Sequence, residues 1–118
     1  MPFENNLLIQ ASAAHTTSGN SGNLDVGGFN EFLILINVSA ASGTTPTLNF
    51  FVDSSPDQGT SWVQIASGAQ LTGVSTQNIP LGAGSSSTPA LFGEMIRLRW
   101  TIAGTTPSFT FNASGIGK

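Results

Sequence analysis

The sequence predicts an all-β protein, a single antiparallel β-sandwich of the jelly-roll or immunoglobulin-like type. Short runs of apolar, β-branched and aromatic residues alternate with clusters of Gly, Pro, Ser, Thr and Asn, and no window has a helical period. About seven or eight short strands fit into the chain, as a sandwich requires. One turn-containing segment also occurs twice. At 118 residues the chain is expected to form one domain with two similar β-hairpins.

The repeated segment reads SGTTPTLNF from Ser42 and AGTTPSFTF from Ala103. Each copy follows an apolar run, at residues 32–38 and 95–102, and leads into an alternating segment. Gly-Thr-Thr-Pro indicates a turn, because Gly reaches positive φ and Pro cannot donate to a central ladder. We therefore predict that residues 47–54 pair back on residues 32–38, and that the second copy forms an equivalent hairpin.

The other elements follow from apolar runs bounded by turn residues. The expected strands are residues 7–12, 24–26, 32–38, 47–54, 61–66, 75–81 and 95–102, and a last strand containing Phe109 and Phe111. Residues 32–38 are apolar on both faces, which is typical of a central strand covered on two sides. Exposed loops are expected at residues 16–23 and 82–89, and a frayed tail at residues 114–118. Residues 1–6 are expected to form an N-terminal arm, and residues 7–118 the sandwich domain.

The strand at residues 95–102 has the clearest alternation in the chain. Its apolar face carries Ile96, Leu98, Trp100 and Ile102, and its other face carries Arg97, Arg99 and Thr101. The two arginines are expected to form ion pairs with one of three carboxylates, Glu31, Asp53 or Glu94. Alternatively they dock on an acidic patch of a partner, for which bidentate guanidinium groups are well suited.

Charge and composition exclude several classes of function. The chain has three Lys and Arg residues against six Asp and Glu, so it lacks the basic face that nucleic-acid binding needs. No run approaches the length of a membrane helix, and the N-terminus has no signal-peptide pattern. With no cysteine, neither disulfides nor thiolate metal sites are expected. Charged residues make up only 8% of the chain, which favours an assembled protein over a lone soluble monomer.

One segment has the pattern of an enzyme motif. Residues 55–62, SPDQGTSW, are similar to the Asp-box of sialidases, in which Asp bonds turn amides and the aromatic residue packs beneath the turn. A sialidase repeats the box and needs a tyrosine nucleophile, and this chain has no tyrosine. The box is therefore interpreted as a structural turn. The single histidine, His15, is interpreted as an exposed loop residue, because no metal-ligand or triad pattern surrounds it.

Other candidate sites are weaker. Trp62, beside a turn, is the one aromatic residue positioned to contact a glycan, together with the loop at residues 82–89. Asp53 and Asp57 could hold calcium, but two acids without a larger cluster make a poor site. No cofactor, metal or catalytic residue is assigned.

The segment from Phe32 to Gly115 resembles small β-sandwich proteins from the virions of tailed bacteriophages. The resemblance rests on the Ser-Gly-Thr-Thr-Pro turn at residue 42, on the SPDQGTSW turn, and on the closing run IRLRWTIAGTTPSFTF from Ile96. It implies a non-enzymatic structural protein, and the capsid decoration (cement) class fits best in size and in lack of cysteine.

The resemblance implies binding to the outside of the major capsid shell, where the protein would stabilise neighbouring capsid subunits, commonly as a homotrimer. Synthesis in the host cytoplasm follows from the same interpretation. Pro2, Phe3 and Glu4 of the arm, with Arg97 and Arg99, are the expected partner-binding residues. The alternatives are a tail or head-fibre component and a carbohydrate-binding module that uses Trp62.

Overall fold

The computed structural model describes residues 5–25, 31–55, 57, 59–82 and 95–117, and these residues form an antiparallel all-β fold. The strands are β1 (Asn5–His15), β2 (Gly19–Asn20), β3 (Leu24–Asp25), β4 (Glu31–Ser55), β5 (Val63–Ser67), β6 (Ser75–Gly82) and β7 (Met95–Gly117). The predicted fold class is confirmed. The part of the chain described here contains no helix long and apolar enough to cross a membrane.

Two very long strands, β4 and β7, are the central elements of the fold. They pair in antiparallel register almost from end to end, from Phe32 opposite Gly117, through Thr44 opposite Thr105, to Ser55 opposite Met95. The two copies of Gly-Thr-Thr-Pro therefore lie beside each other at the middle of this ribbon. Each copy bends one strand, so the whole ribbon bends at one place.

The bend divides the ribbon between two layers of four strands each. The first layer contains β6, residues 31–38 of β4, residues 109–117 of β7, and β1, in that order. The second contains β5, residues 47–55 of β4 and residues 95–103 of β7, with β2 and β3 sharing the last position. Of the two sandwich types predicted, this strand order is that of a jelly roll.

The predicted pairing within each repeat is wrong. Residues 47–54 do not pair back on residues 32–38, because both segments pair with β7, in different layers. The turn residues were identified correctly, since Gly43 and Gly104 have φ of 113° and 122°. Thr45 and Thr106 also have positive φ, at 47° and 45°. These angles bend a continuous strand instead of reversing it.

The core lies between the two layers and is rich in aromatic rings. Its buried apolar residues are Ile9, Phe32, Ile34, Ile36, Val38, Leu48, Phe50, Val52, Ile79, Leu81, Ile96, Leu98, Trp100, Phe109, Phe111 and Ala113. The rings of Phe50 and Phe111 meet edge to face at 5.1 Å, although they belong to opposite halves of the ribbon. Trp100 meets Phe111 at the same distance. These contacts hold the two layers together.

Two segments expected to be irregular are ordered by pairing. Residues 114–117, expected to fray, lie between β1 and β4 with partners on both sides. Residues 16–23, expected to be a loop, cover the edge of β7 in the second layer. There the Oγ atoms of Ser18 and Ser21 accept hydrogen bonds from the backbone N–H of Ile102 (2.9 Å) and of Leu98 (3.0 Å). The hydroxyls thus replace backbone acceptors that a longer strand would supply.

The glycines at the bend provide a test of the ribbon. A Cβ added at Gly43 would lie 2.8 Å from the carbonyl oxygen of Thr106, and one at Gly104 would lie 2.9 Å from that of Thr45. We expect Gly43→Ala and Gly104→Ala each to lower the free energy of unfolding by about 2 kcal/mol or more, through backbone strain and steric overlap. Chemical denaturation of each variant measures this loss.

Variants at two further glycines distinguish the effect of backbone strain from that of steric overlap. Gly22 has a φ of 83° but open space around its Cβ position, so Gly22→Ala should lose only about 1 kcal/mol. Gly73 has neither constraint, and Gly73→Ala should stay within about 0.5 kcal/mol of the wild type. Equal losses at all four positions would contradict the role given to the bend.

Candidate functional site

A cluster of charged side chains lies on the outer surface of the second layer. Asp53 of β4 lies opposite Arg97 of β7, and Arg99 follows on the same face. The Nε atoms of Arg97 and Arg99 both donate to Oδ2 of Asp53, at 3.0 and 2.9 Å. Nη2 of Arg99 also donates to Oδ1 of Asp53 at 3.3 Å and to Oε1 of Gln64 at 3.0 Å. We call these four residues the arginine cluster; the predicted ion pair is present, and its carboxylate is Asp53.

Aromatic rings support both guanidinium groups of the cluster. The guanidinium carbon of Arg97 lies 4.5 Å from the ring centroid of Trp62, and that of Arg99 lies 4.4 Å from the centroid of Phe51. Cation–π attraction therefore adds to the ion pairs and restricts both side chains. The Arg97 side chain remains 25% exposed and that of Arg99 30%, whereas Asp53 is almost fully buried.

The arginines determine the ionisation of Asp53. Burial by itself raises the pKa of this carboxyl group, but the hydrogen bonds from Arg99 and Arg97 and their positive charges outweigh it. The pKa of Asp53 is therefore held below its ordinary value. Among the described residues the two guanidinium groups share this one carboxylate, so the four residues of the cluster carry a net charge of +1.

The SPDQGTSW segment forms the structural turn that was predicted. Oγ of Ser55 donates to Oδ1 of Asp57 at 3.0 Å and accepts from the backbone N–H of Gly59 at 2.6 Å. Oδ1 of Asp57 also accepts from the backbone N–H of Ser61 at 2.7 Å, and this bond, with smaller contributions from the hydroxyls, lowers the pKa of Asp57. Gly59 has a φ of 98°. The turn places Trp62 against the guanidinium group of Arg97.

The outer surface of the first layer has a different character. Across the four strands, Leu8 and Leu35 both lie opposite Ser114, and Leu35 also lies opposite Asn78. Leu8 is 66% exposed and Leu35 39% exposed. An open groove of about 660 Å³ runs along this surface, lined by Leu35, Ile36, Asn37, Thr76, Gln77, Asn78, Asn112 and Ser114. We call this surface the amide face, and none of the groove-lining side chains is ionisable.

The amide face was not predicted as a site. The double-faced apolar pattern of residues 32–38 led to the expectation that both sides are covered. Within the described residues the inner side is covered by the second layer, but the outer side at Leu35 is open. The apolar residues on the outer side of this strand were therefore a sequence signal for the amide face, because the described residues leave Leu35 partly exposed.

The interpretation of His15 as an exposed loop residue is wrong. His15 is the last residue of β1, and its ring stacks on Phe111 at 4.4 Å and meets Trp100 edge on at 5.0 Å. Its Nε2 atom is buried and has no hydrogen-bond partner among the described residues. Burial lowers the pKa of His15, so the neutral ring is favoured. The residue is an aromatic packing element at the end of the sandwich.

The structure describes only some of the remaining residues that were predicted to bind a partner or a glycan. Pro2, Phe3 and Glu4 lie outside the described residues, whereas Asn5 and Asn6 of the proposed arm pair with β7 as the start of β1. One side of the Trp62 ring is occupied by Arg97, and residues 83–89 of the loop proposed to act with it are outside the described part. Among the described residues no group of three or more metal-ligating side chains occurs.

The buried carboxylate provides a test of the arginine cluster. Asp53→Asn leaves two guanidinium groups without their shared acceptor, and we expect a loss of about 2–3 kcal/mol at pH 7. That is less than for a fully buried pair, because both arginines are partly hydrated. Since the pKa of Asp53 is lowered, the stabilisation is complete above its ordinary value and is lost as pH falls below it. Denaturation at pH 7 and pH 2.5 should show the wild-type advantage over the variant shrinking in acid; an equal advantage at both would contradict the pairing.

His15 predicts a separate dependence on pH. Because its folded pKa is lowered, its contribution to stability is present above its ordinary value of about 6.5 and declines as pH falls through this region. The difference in stability between wild type and His15→Phe should therefore change between pH 7.5 and pH 5 in favour of the variant. A difference that is constant over this range would contradict burial of a neutral ring. His15→Gln is the control for loss of the titratable group without an aromatic replacement.

Comparison with known proteins bears on the fold. No protein-family model and no curated protein matches the chain. It is similar to a chain in the structure of infectious bursal disease virus Gt strain, with a TM-score of 0.60 and 11% identity over 98% of this chain and 32% of that one. A chain in the structure of the Gx strain is similar with a TM-score of 0.57 and 13% identity, over 98% and 31%. The protein thus spans about a third of these viral chains and shares their fold in that part.

Proposed function

We propose that the protein is a non-enzymatic structural component of a bacteriophage virion, a capsid decoration protein that binds the outside of the major capsid shell. The observation that carries the proposal is the likeness in fold, over 98% of this chain, to chains in structures of a virus. The resemblance of its turn and closing motifs to tailed-phage sandwich proteins is the reason for proposing a bacteriophage. The two arguments are independent, since one uses the fold and the other uses short sequence motifs.

The surfaces of the sandwich support a role in assembly. The amide face presents exposed Leu8 and Leu35 among amide and hydroxyl groups, without an ionisable side chain in its groove. Such a surface can bury apolar area and exchange hydrogen bonds with another protein at little cost in charge desolvation. It therefore suits a lasting contact with a neighbouring subunit better than it suits a freely dissolved monomer.

The arm and the oligomeric state belong to the same proposal. Residues 1–6, with Pro2, Phe3 and Glu4, are proposed to contact the shell next to the first layer, because β1 begins at Asn5 in that layer. A homotrimer is the proposed form, since three copies around one axis would each contact capsid subunits and gain from multivalency. The major capsid protein is the proposed partner.

The test compares virus particles with and without the gene for this chain. Particles that lack the protein should still assemble, should bind added recombinant protein saturably, and should lose their genome at a higher temperature once it is bound. Cryo-electron microscopy of the reconstituted particle should then show its density on the outer capsid surface, bridging capsid subunits. Leu8→Asn and Leu35→Asn test the amide face. The control is Val74→Asn, because Val74 is 70% exposed, close to the 66% of Leu8, and does not line the groove.

Other locations would overturn the proposal. Density confined to the tail or to a fibre would identify a tail or head-fibre component. Absence from the particle, together with saturable glycan binding that Trp62→Ala abolishes, would identify a carbohydrate-binding module.

A further inference from the structure

The two arginines of the arginine cluster are not equivalent. Arg99 uses Nε and Nη2 on three acceptor contacts, to both carboxylate oxygens of Asp53 and to Gln64. Arg97 uses only Nε, on Asp53, and its two Nη groups have no hydrogen-bond partner among the described residues. The hydrogen-bonding groups of Arg99 are therefore largely used within the fold. Arg97, by contrast, has an edge formed by its two Nη groups that is not hydrogen-bonded within the described part of the chain.

Arg97 is also held in place. Its Nε is fixed by Asp53 on one side and its guanidinium carbon lies over the Trp62 ring, so three quarters of the side chain is buried. A guanidinium group that is already ordered loses little conformational entropy when it binds a ligand. The net positive charge of the cluster thus lies at a rigid, partly exposed position on a chain whose net charge is −3.

We propose that Arg97 is a recognition residue and that its Nη edge binds a carboxylate side chain of an acidic segment on a partner protein. A carboxylate matches the two parallel donors of this edge and neutralises the remaining charge of the cluster. The neighbouring Trp62 adds an apolar surface beside the bound carboxylate. The inference rests on the proposed function only for the identity of the partner, namely a capsid subunit; the chemistry of the site stands by itself.

The first experiment uses the isolated protein and a peptide probe. Hexaglutamate is titrated into ¹⁵N-labelled protein at fixed ionic strength, and the Arg97 Nε–H and Trp62 indole N–H signals are followed by NMR, with hexaglutamine as the uncharged control. We expect saturable shifts at both groups with hexaglutamate alone. Arg97→Gln should weaken binding about tenfold, and Arg97→Lys should recover only part of it because Lys lacks the paired donors.

Matched variants separate recognition from folding. Gln64→Ala removes a cluster residue that contacts Arg99 but not Arg97, and it should leave hexaglutamate binding unchanged. Arg97→Gln keeps the Arg99–Asp53 bonds, so its unfolding midpoint should fall less than that of Arg99→Gln. An affinity for hexaglutamate that is unchanged in Arg97→Gln, or equal shifts with hexaglutamine, would overturn the proposal.

The same variants are then bound to particles that lack the protein. Weaker binding of Arg97→Gln than of Gln64→Ala supports the proposal, whereas equal binding of all variants overturns Arg97 as the contact and leaves the capsid role intact. Failure of the wild type to bind the particles overturns the capsid role, and the peptide titration then decides the role of Arg97 alone.

Discussion

The bend at the middle of the β4–β7 ribbon is the constraint on which the rest of the structure depends. Both copies of Gly-Thr-Thr-Pro meet there, and positive φ at Gly43, Thr45, Gly104 and Thr106 turns two paired strands together. Because the strands stay paired on both sides of the bend, one ribbon supplies the two central strands of each layer. The layers then close face to face, and Phe50 meets Phe111 across the core.

The repeat in the sequence has a geometric counterpart in this ribbon. Thr44 lies opposite Thr105, and these are equivalent positions of the two copies, so the bend has an approximate two-fold relation within one chain. Each copy places a positive-φ glycine against the backbone of the other, with Gly43 near Thr106 and Gly104 near Thr45. Such close approach of two backbones leaves no room for a Cβ at either glycine unless the opposite backbone shifts. The two copies are thus similar for a packing reason, since the backbone of each copy limits the space at the glycine of the other.

The two outer surfaces of the sandwich contrast in chemistry. One carries the arginine cluster, in which rings and a buried carboxylate hold two guanidinium groups. The other carries the amide face, with exposed leucines among uncharged polar groups. In a chain with so few charges, a single oriented positive group can fix the direction of a contact, while the amide face supplies area. Under the proposed capsid role, each of the two surfaces would make a contact of its own kind.

The sequence by itself determined the strand class, the positions of the turns and the buried face of residues 95–102, because period-two alternation and positive-φ glycines are local properties. It also limited the partners of the arginines to three carboxylates. Only the tertiary structure decided that the repeats bend a shared ribbon instead of closing two hairpins, since a turn signal does not specify which strand lies beside it. The same holds for His15, whose burial comes from Phe111 and Trp100, and for Asp53, which reaches Arg97 through the register of β4 and β7. Contacts between residues far apart in sequence depend on strand register, and register is set by the packing of the whole core.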